Sequence, residues 1–440
     1  MKRNPEGGFG PAKTLCKTLL ACAAATGALA PPCPADCATA PRAEAARFPV
    51  TRVGAINWDC SVPSWTYFGA AATRSLGPEK YRDRTPFYAQ ATAPGKIEFR
   101  HRTLAEHERE LRYAIAAGID YFAYCWYDLN QPPGNLEKGK AAANADGHLQ
   151  EITFARLAHA KSALREKLHL CAILVTCHPY SDDELTRLAL EMREPWYEKI
   201  GNRPLVYFFT DRPEPAARLR EICRKVGAAD PYAVCMTGKP RADASRYAGF
   251  DALGSYACGV SATSHRDYTD RSLAANEARA KTGLPTIPHF ALGWNPSPRV
   301  DNPVPWCRYG KGPWAPPATA DDWLDAAQRL RDWIASHPAA CPTGHVLAFA
   351  WNEFEEGGWI CPTLKPDGSA DTARVAAFAR AVKTLKAPCA GPRGCGARRG
   401  GGRGALQPAL HRAHGGAAGG RRLHPLVVKS PTCANGLGLI

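Results

Sequence analysis

Eight short apolar runs recur along the chain, and most of them are continuous rather than alternating. That pattern is typical of parallel strands that are buried on both faces of a sheet. The predicted strands are Val53–Asp59, Tyr121–Tyr127, Leu168–Thr176, Pro204–Thr210, Tyr232–Thr237, Ala252–Tyr256, Thr286–Trp294 and His345–Trp351.

Amphipathic segments with helical spacing separate the runs. The predicted helices are Leu104–Ala117, Ile152–Lys167, Asp182–Ile200, Pro215–Val226, Ser272–Thr282, Ala320–His337 and Asp371–Leu385. Only Arg241–Ala248 is weak, and there we expect a short helix or an irregular crossover. Regular alternation of strands and helices predicts a single (β/α)₈ barrel. A doubly wound sheet is the alternative, but no glycine-rich turn follows the first strand. Residues 60–102 are then an insertion over the barrel mouth.

The charge of the chain belongs to its ends. The net charge is +15, yet residues 1–47 hold six basic and three acidic residues, and 387–440 hold eight basic and no acidic residues. The remainder is close to neutral, so it lacks the basic surface of a nucleic-acid-binding domain. Residues 387–440 are rich in Gly and Arg, which predicts a disordered tail; RNA binding is the alternative, but aromatic residues for stacking are absent. The predicted domain is therefore 48–386.

The N-terminal segment resembles a secretory signal peptide. Lys13 and Lys17 precede an Ala- and Leu-rich stretch that ends in Ala28-Leu29-Ala30, which fits a small-residue cleavage site. We therefore expect a secreted or periplasmic protein, with the cytoplasm as the alternative. Elsewhere no apolar stretch is long enough to span a membrane. The 17 Cys show neither disulfide nor zinc spacing, and we expect those in the strands to be buried thiols.

Three carboxylates follow the eighth predicted strand, in the sequence Trp351-Asn352-Glu353-Phe354-Glu355-Glu356-Gly357-Gly358-Trp359. The carboxyl ends of the strands form the active-site face of such a barrel. Carboxylates are costly to desolvate, and strand formation does not require them. Paired carboxylates among aromatic side chains suit glycoside hydrolysis, in which one group protonates the leaving oxygen and the other acts at the anomeric carbon. A solvated acidic loop is the alternative interpretation.

Other strand ends carry side chains that suit a sugar site, either for stacking or for hydrogen bonds. Barrel-top packing is the alternative for each of them, and His178 could simply be satisfied locally. We expect these residues to converge on one cleft at the mouth, together with Glu353: Trp58, Trp126, Tyr127, His178, Tyr256 and Trp294. No metal-binding, phosphate-binding or nucleophile-elbow motif occurs in the sequence, so we expect no cofactor.

Four stretches of the chain resemble the glycoside hydrolase family 99-like proteins, including the WbsX-like group. The WNEFEEGGW segment resembles the family's W-N-E-W-x-E-G signature. The other three stretches are Ala117–Phe122, similar to A-G-I-D-x-F; Gly201–Val206, similar to G-R-P-V/L; and Gly293–Arg299, similar to G-W-D-N-x-P-R. The resemblance covers about residues 50–385. Phe354 replaces the second Trp, Asn295 stands where Asp is common, and Glu355 adds a third carboxylate.

The resemblance implies a retaining, endo-acting α-mannoside hydrolase on a (β/α)₈ barrel. It makes Glu356 the general acid and later base, and Glu353 the partner that deprotonates the substrate 2-hydroxyl, which then attacks the anomeric carbon. The remaining candidate substrate-binding residues are Asn295, Arg299, Trp351 and Asn352. Under this assignment Glu355 is dispensable, and Glu355→Gln should remain active. The partner is an oligo- or polysaccharide. Two alternatives remain: glycosyl transfer in polysaccharide biosynthesis, and a non-catalytic carbohydrate-binding barrel.

Overall fold

A computed structural model of the chain describes residues 49–128, 148–175 and 180–388. Eight parallel strands form the central sheet of this part of the chain. They are β1 Arg52–Asn57, β2 Tyr121–Trp126, β3 His169–Leu174, β4 Arg203–Phe208, β5 Tyr232–Met236, β6 Ala252–Gly254, β7 His289–Ala291 and β8 His345–Phe349. Each lies within one residue of a predicted apolar run, or inside it.

The sheet closes into a (β/α)₈ barrel, as the alternation predicts. Its order is β7-β8-β1-β2-β3-β4-β5-β6, and every neighbouring pair is parallel. Between β6 and β7 the closure is a single parallel bridge, Leu253–Thr286. Leu253 N donates to Pro285 O and Ile287 N donates to Leu253 O, both over 2.8 Å. The seam is therefore narrow, but the backbone groups at it are paired.

Nine α-helices lie in the described ranges. They are α1 Tyr67–Leu76, α2 Leu104–Ala116, α3 His148–Lys161, α4 Asp182–Glu191, α5 Glu214–Lys225, α6 His265–Ala280, α7 Ser297–Asp301, α8 Ala320–Ser336 and α9 Ala373–Leu385. The crossover from β5 to β6 carries a 3₁₀ turn, Ala244–Tyr247, in place of an α-helix. That agrees with the weak helical pattern of Arg241–Ala248.

Three helices differ by several residues from their sequence patterns. Helix α3 spans His148–Lys161 instead of Ile152–Lys167, and a 3₁₀ helix, Ala163–Glu166, follows it. Helix α6 begins at His265, well before Ser272, because the Ser264 side chain accepts from Asp267 N and caps it there. Helix α4 ends at Glu191 instead of Ile200. The residues that follow include a short strand, Lys199–Ile200, which pairs antiparallel with the start of β4. Local pairing thus interrupts a segment whose composition suits a longer helix.

The insertion between β1 and α2 is ordered. It contains α1, a 3₁₀ helix at Glu79–Arg84, and a short hairpin of Gln90–Ala93 with Lys96–Glu98. No described helix is both long and apolar enough to span a membrane. The predicted signal-like segment 1–47 and nearly all of the predicted tail 387–440 lie outside the described residues. Within the described ranges nine cysteines are free thiols, and eight of them are buried.

Candidate active site

A tight loop after β8 carries the three glutamates. Trp351 O accepts from the backbone amides of Ile360 and Cys361, both over 2.9 Å. Asn352–Glu353 pairs antiparallel with Gly358–Trp359. Gly357 has a φ of +82°, and a Cβ there would lie 2.6 Å from Asn295 N. Only glycine fits this position, because the backbone is left-handed and the loop that follows β7 lies directly against it. The turn therefore fixes where the three carboxylates stand.

Arg299 of α7 lies at the centre of the three carboxylates. Its guanidinium forms ion pairs with Glu353 at 3.6 Å, with Glu355 at 3.3 Å, and with Glu356. The side chain is only 1% exposed. Burial alone would lower its pKa, but the surrounding carboxylates outweigh that effect, and the pKa lies well above the ordinary value. Arg299 is therefore a permanent buried cation at the mouth of the barrel.

Glu353 has few hydrogen-bond partners. The Tyr256 hydroxyl donates to its Oε1 over 2.7 Å. Its Oε2 is buried and accepts no hydrogen bond from the residues that the structure describes. Burial, and next the charge of Glu356, raise the pKa of Glu353 well above the ordinary value. Glu353 is therefore more easily protonated than an exposed glutamate, and its Oε2 faces Arg299 Nη2 at 3.6 Å without a hydrogen bond.

Glu356 is held from two sides by donors. Arg299 Nη1 and the Tyr309 hydroxyl both donate to its Oε1, and Arg299 also donates to that hydroxyl over 2.8 Å. Burial raises the pKa of Glu356, while Arg299 and Tyr309 oppose the increase. Contacts of this kind favour the ionised carboxylate. These hydrogen bonds thus favour ionised Glu356, and of the two carboxyl groups Glu353 is the one that more readily holds a proton.

Glu355 is a buried partner of Arg299. Arg299 Nε and Nη2 donate to its two oxygens, each over 3.3 Å. The Ser75 hydroxyl and the Cys60 thiol also donate to it, the latter over 3.0 Å. Burial opposes its ionisation, but Arg299 and these hydrogen bonds outweigh burial and lower its pKa. Glu355 is therefore the carboxylate that stays ionised.

Several of the predicted site residues gather around this cluster. Trp58 is buried, with the Arg299 guanidinium 5.3 Å from its ring centroid, and it donates through Nε1 to Tyr127 over 2.7 Å. Asn352 Oδ1 accepts from Trp58 N over 3.0 Å, which connects the end of β1 to the loop after β8. Trp294 is half-buried, and its ring centroid lies 6.2 Å from that of Tyr309. Of these aromatic rings, Trp294 is the more accessible platform.

Trp126 and Trp351 face the helices instead of the mouth, which corrects their assignment to substrate binding. Trp126 Nε1 donates to Glu184 of α4 over 2.7 Å, and the Arg156 guanidinium of α3 lies 3.6 Å from its ring centroid. Trp351 Nε1 donates to Glu110 of α2 over 2.6 Å. Successive side chains of a strand point to opposite faces, and the position of Trp126 in β2 places it in the helix layer. Trp351 lies beyond the end of β8, where the pattern of the strand no longer decides its direction.

Asn295 has a local structural role. Its Oδ1 accepts from Ser297 N and Oγ, and its Nδ2 donates to Ala315 O over 2.9 Å. Its backbone N donates to Glu356 O over 2.7 Å, so it connects the start of α7 to the loop after β8. His178 lies outside the described residues. Tyr309 and the buried Trp306 were not among the predicted site residues, because they lie in a Pro-rich segment without periodicity.

No protein-family model and no curated protein matches the chain. Among solved structures, the chain is similar to the family 99 endo-α-mannosidase from Bacteroides thetaiotaomicron, with 12% identity and a TM-score of 0.41 over 64% of this chain and 80% of that chain. For the same protein in complex with bis-tris propane, the identity is 11% and the TM-score is 0.43, over 76% of this chain and 97% of that chain. A family 5 enzyme from Streptomyces cattleya, in complex with Manβ1-4GlcNAc, has 12% identity and a TM-score of 0.35, over 64% of this chain and 76% of that chain. At these identities and TM-scores the similarity carries no argument about activity, which depends on the chemistry of the site.

Proposed function

We propose that this protein is a glycoside hydrolase that cleaves an α-mannoside-type glycan internally and retains the anomeric configuration. The observation that carries the proposal is the pair Glu353 and Glu356, two buried carboxyl groups with raised pKa values on one loop at the barrel mouth. Titratable groups whose pKa values are strongly shifted cluster at catalytic sites. The sugar class comes from the sequence resemblance of the WNEFEEGGW loop.

In the proposed reaction Glu353 accepts the proton of the substrate 2-hydroxyl as that oxygen attacks the anomeric carbon. Glu356 donates its proton to the departing glycosidic oxygen, whose bond to the anomeric carbon breaks. In the second step water attacks the anomeric carbon and gives a proton to Glu356. The bond between that carbon and the 2-oxygen breaks, and Glu353 returns its proton to the 2-oxygen. Two displacements at one carbon give overall retention, and both carboxyl groups return to their starting states.

Substrate binding has to move the shared proton from Glu353 to Glu356. The hydrogen bonds of the free enzyme favour ionised Glu356, since Arg299 and Tyr309 both donate to it. A sugar that donates its 2-hydroxyl to Oε2 of Glu353, which accepts no hydrogen bond from the described residues, would stabilise ionised Glu353. Because two neighbouring negative charges repel each other, the proton would then pass to Glu356. The sugar that is to be cleaved thus sets the protonation that its cleavage requires.

The experiment is a reducing-end assay on α-mannan, α-mannan fragments and unrelated polysaccharides, with proton NMR of the first anomer released. The expected result is internal cleavage of an α-mannan with an initial α product. Glu353→Gln and Glu356→Gln are the matched inactive variants. Binding of the glycan without any reducing-end release would contradict the proposal and favour a carbohydrate-binding barrel. Transfer to an added sugar acceptor, with no release to water, would favour a transferase.

A further inference from the structure

We infer that Glu355 is a positioning residue for this reaction: it acts as the counter-ion of Arg299, so that Glu353 and Glu356 together retain one proton. The inference rests on the proposed function for its catalytic meaning, although the protonation itself can be measured without a substrate. The side chain of Glu355 makes no hydrogen bond to Glu353 or Glu356. Its hydrogen-bond partners are Arg299, Ser75 and Cys60.

The geometry of Glu355 shows why it takes the larger share of the arginine's charge. Arg299 contacts Glu355 through both Nε and Nη2, so both carboxylate oxygens are occupied by the guanidinium. Ser75 on α1 and Cys60 after β1 add a donor to each oxygen. An ionised carboxylate with this many donors is strongly favoured over its acid form. Glu355 therefore keeps its negative charge, and Glu353 and Glu356 share the remaining stabilisation by the positive charge of Arg299.

The remaining charges do not neutralise the cluster. In the described ranges, Arg299 is the one cation within ion-pair distance of the three carboxylates. Tyr268 lies close enough to Glu356 for their charges to interact, and burial raises its pKa well above the ordinary value, so it stays neutral. The titratable groups that hydrogen-bond to the three carboxylates, besides Arg299, are Tyr256, Tyr309 and Cys60. Burial raises the pKa of each of these three groups well above its ordinary value, so all three stay neutral. Three ionised carboxylates would leave two uncompensated charges in a buried site, and one retained proton halves that excess.

A dispensable residue would not be placed in this way. An acidic side chain that is 1% exposed has a large desolvation cost, which solvent contact would avoid. Replacing Glu355 by a neutral residue would free Arg299 for Glu353 and Glu356. An opposite charge at this range lowers a carboxyl pKa by about 1–3 units. The pair Glu353 and Glu356 would then lose its proton at a lower pH. Above that pH the site would have no protonated carboxyl group to act as the general acid.

The test is an infrared titration of the whole chain, which follows the C=O stretch of protonated carboxyl groups. In the wild type we expect a buried carboxyl band that persists well above the ordinary glutamate range. This band should be absent from the Glu353→Gln/Glu356→Gln double variant, which assigns it to the pair. In Glu355→Gln its midpoint should move down by about 1–3 pH units. Glu355→Asp, which keeps the charge, should restore most of the wild-type midpoint.

Ser75→Ala is the matched structural control, since it removes a neutral donor to Glu355 and leaves every charge in place. Its midpoint should stay near that of the wild type. An unchanged midpoint in Glu355→Gln, or an equal shift in Ser75→Ala, would overturn the inference. If Glu355→Gln does not fold, the wild-type band decides: its absence at neutral pH refutes the retained proton. Absence of turnover on every glycan, with the band shifts as expected, would overturn the proposed function alone.

Once a substrate is found, the basic limb of the kcat/KM pH profile offers a second readout. The limb reports the loss of an essential proton from the free enzyme. In Glu355→Gln it should move to lower pH together with the infrared midpoint. A residue with a purely structural role would lower kcat at every pH and leave the limb where it is.

Discussion

The Tyr256 hydroxyl donates a 2.7 Å hydrogen bond to Glu353 Oε1, which joins the end of β6 to the loop after β8. The phenol is buried, and burial raises its pKa well above the ordinary value, so it is a donor across the working pH range. It fixes one oxygen of Glu353 and leaves the other for a substrate hydroxyl. The hydrogen bond also lowers the pKa of Glu353 against the effect of burial. Tyr256 thus has two roles, orientation and tuning.

Tyr256→Phe should therefore reduce turnover and shift its pH dependence. Without the phenol the pKa of Glu353 rises, because a hydrogen bond that favours the ionised form is lost. If ionised Glu353 is the base in the substrate complex, the acidic limb of the kcat profile moves to higher pH, because kcat reports the pKa values of that complex. We expect a loss of roughly 10- to 100-fold in kcat, comparable to about 1.5–3 kcal/mol for a hydrogen bond to a charged group. Steady-state kinetics over a pH series measure both effects.

Tyr207→Phe is the control for that substitution. Tyr207 is equally buried, and its hydroxyl pairs with that of Tyr121 over 2.9 Å inside the barrel. It makes no hydrogen bond to the three glutamates. This variant should lower thermal stability while the pH profile keeps its shape. A similar limb shift in both variants would show that lost packing, and not the contact with Glu353, moves the profile.

Glu353→Gln and Glu356→Gln should each lose most turnover, by about 10²–10⁴-fold, because an amide cannot exchange the required proton. The two variants differ in kind. If Glu356 is the acid, a substrate with a good leaving group should partly rescue Glu356→Gln, since that group departs without protonation. Glu353→Gln should not be rescued, because the internal nucleophile still lacks its base. If the substrate with a good leaving group rescued Glu353→Gln instead, Glu353 would be the general acid and Glu356 the base.

The barrel could be predicted from the sequence because buried parallel strands need continuous apolar runs, and all eight are visible. The loop after β8 could be selected as a candidate site because strand formation does not require its carboxylates. The face of the sheet to which a strand residue points was harder to predict from the sequence. Trp126 and Tyr127 are neighbours, yet the first contacts α3 and α4, while the second bonds to Trp58. A continuous apolar run does not distinguish the two faces, so the assignment of Trp126 to the mouth could not be avoided.

The role of Glu355 was also beyond the sequence. Its three partners come from the end of β1, from α1 and from α7, far apart along the chain. Only the closed barrel brings them together. Tyr309 lies in an irregular segment whose position no periodicity fixes, although it donates to Glu356. Contacts that depend on loop paths between distant elements leave no local pattern to detect.

The buried carboxyl group of Glu353 should make the protein less stable as the pH rises. Its folded pKa lies above the unfolded value of about 4.3, so the folded state binds the proton more tightly. The resulting stabilisation is complete below the unfolded pKa and is lost as the pH rises through the folded pKa. Glu353→Gln has no proton to lose. Its Tm relative to the wild type should increase with pH above the ordinary glutamate range.

Thermal unfolding of both proteins over a pH series measures this difference. Glu166→Gln is the control, because that side chain is 60% exposed and lies outside the site. Its Tm difference from the wild type should stay flat. A difference for Glu353→Gln that decreases with rising pH would mean that the folded state prefers ionised Glu353.

A fragment of residues 48–386 should unfold cooperatively near the Tm of the full chain. Its last residue matters: Lys386 Nζ donates to both oxygens of Asp120, over 2.6 and 2.8 Å, at the start of β2. Helix α9 also packs on the barrel, with Phe378 stacked on Phe290 at 5.7 Å. A fragment that ends at residue 372 lacks this helix and should aggregate. Calorimetry of the two fragments measures the boundary, and aggregation of the longer one would place it elsewhere.

Trp294 and Trp126 should respond oppositely to the same substitution. Trp294 is half-buried beside Tyr309, at the mouth, and a sugar face can stack on it. Trp294→Ala should raise KM by roughly 2- to 10-fold, the equivalent of about 0.5–1.5 kcal/mol of aromatic contact. Trp126 is 1% exposed and packed between α3 and α4. Trp126→Ala should lower the free energy of unfolding by about 3–5 kcal/mol and leave KM unchanged.

Glycan kinetics and denaturant unfolding on both variants separate the two effects. Trp126→Phe is the milder substitution if the alanine variant does not accumulate, since it keeps a ring under Arg156 and removes only the donor to Glu184. It should cost about 1–3 kcal/mol for the buried acceptor left short of a partner. A raised KM in Trp126→Phe would return this residue to the substrate site. An unchanged KM in Trp294→Ala would mean that the glycan does not contact the Trp294 ring. The glycan would then bind at another part of the barrel mouth.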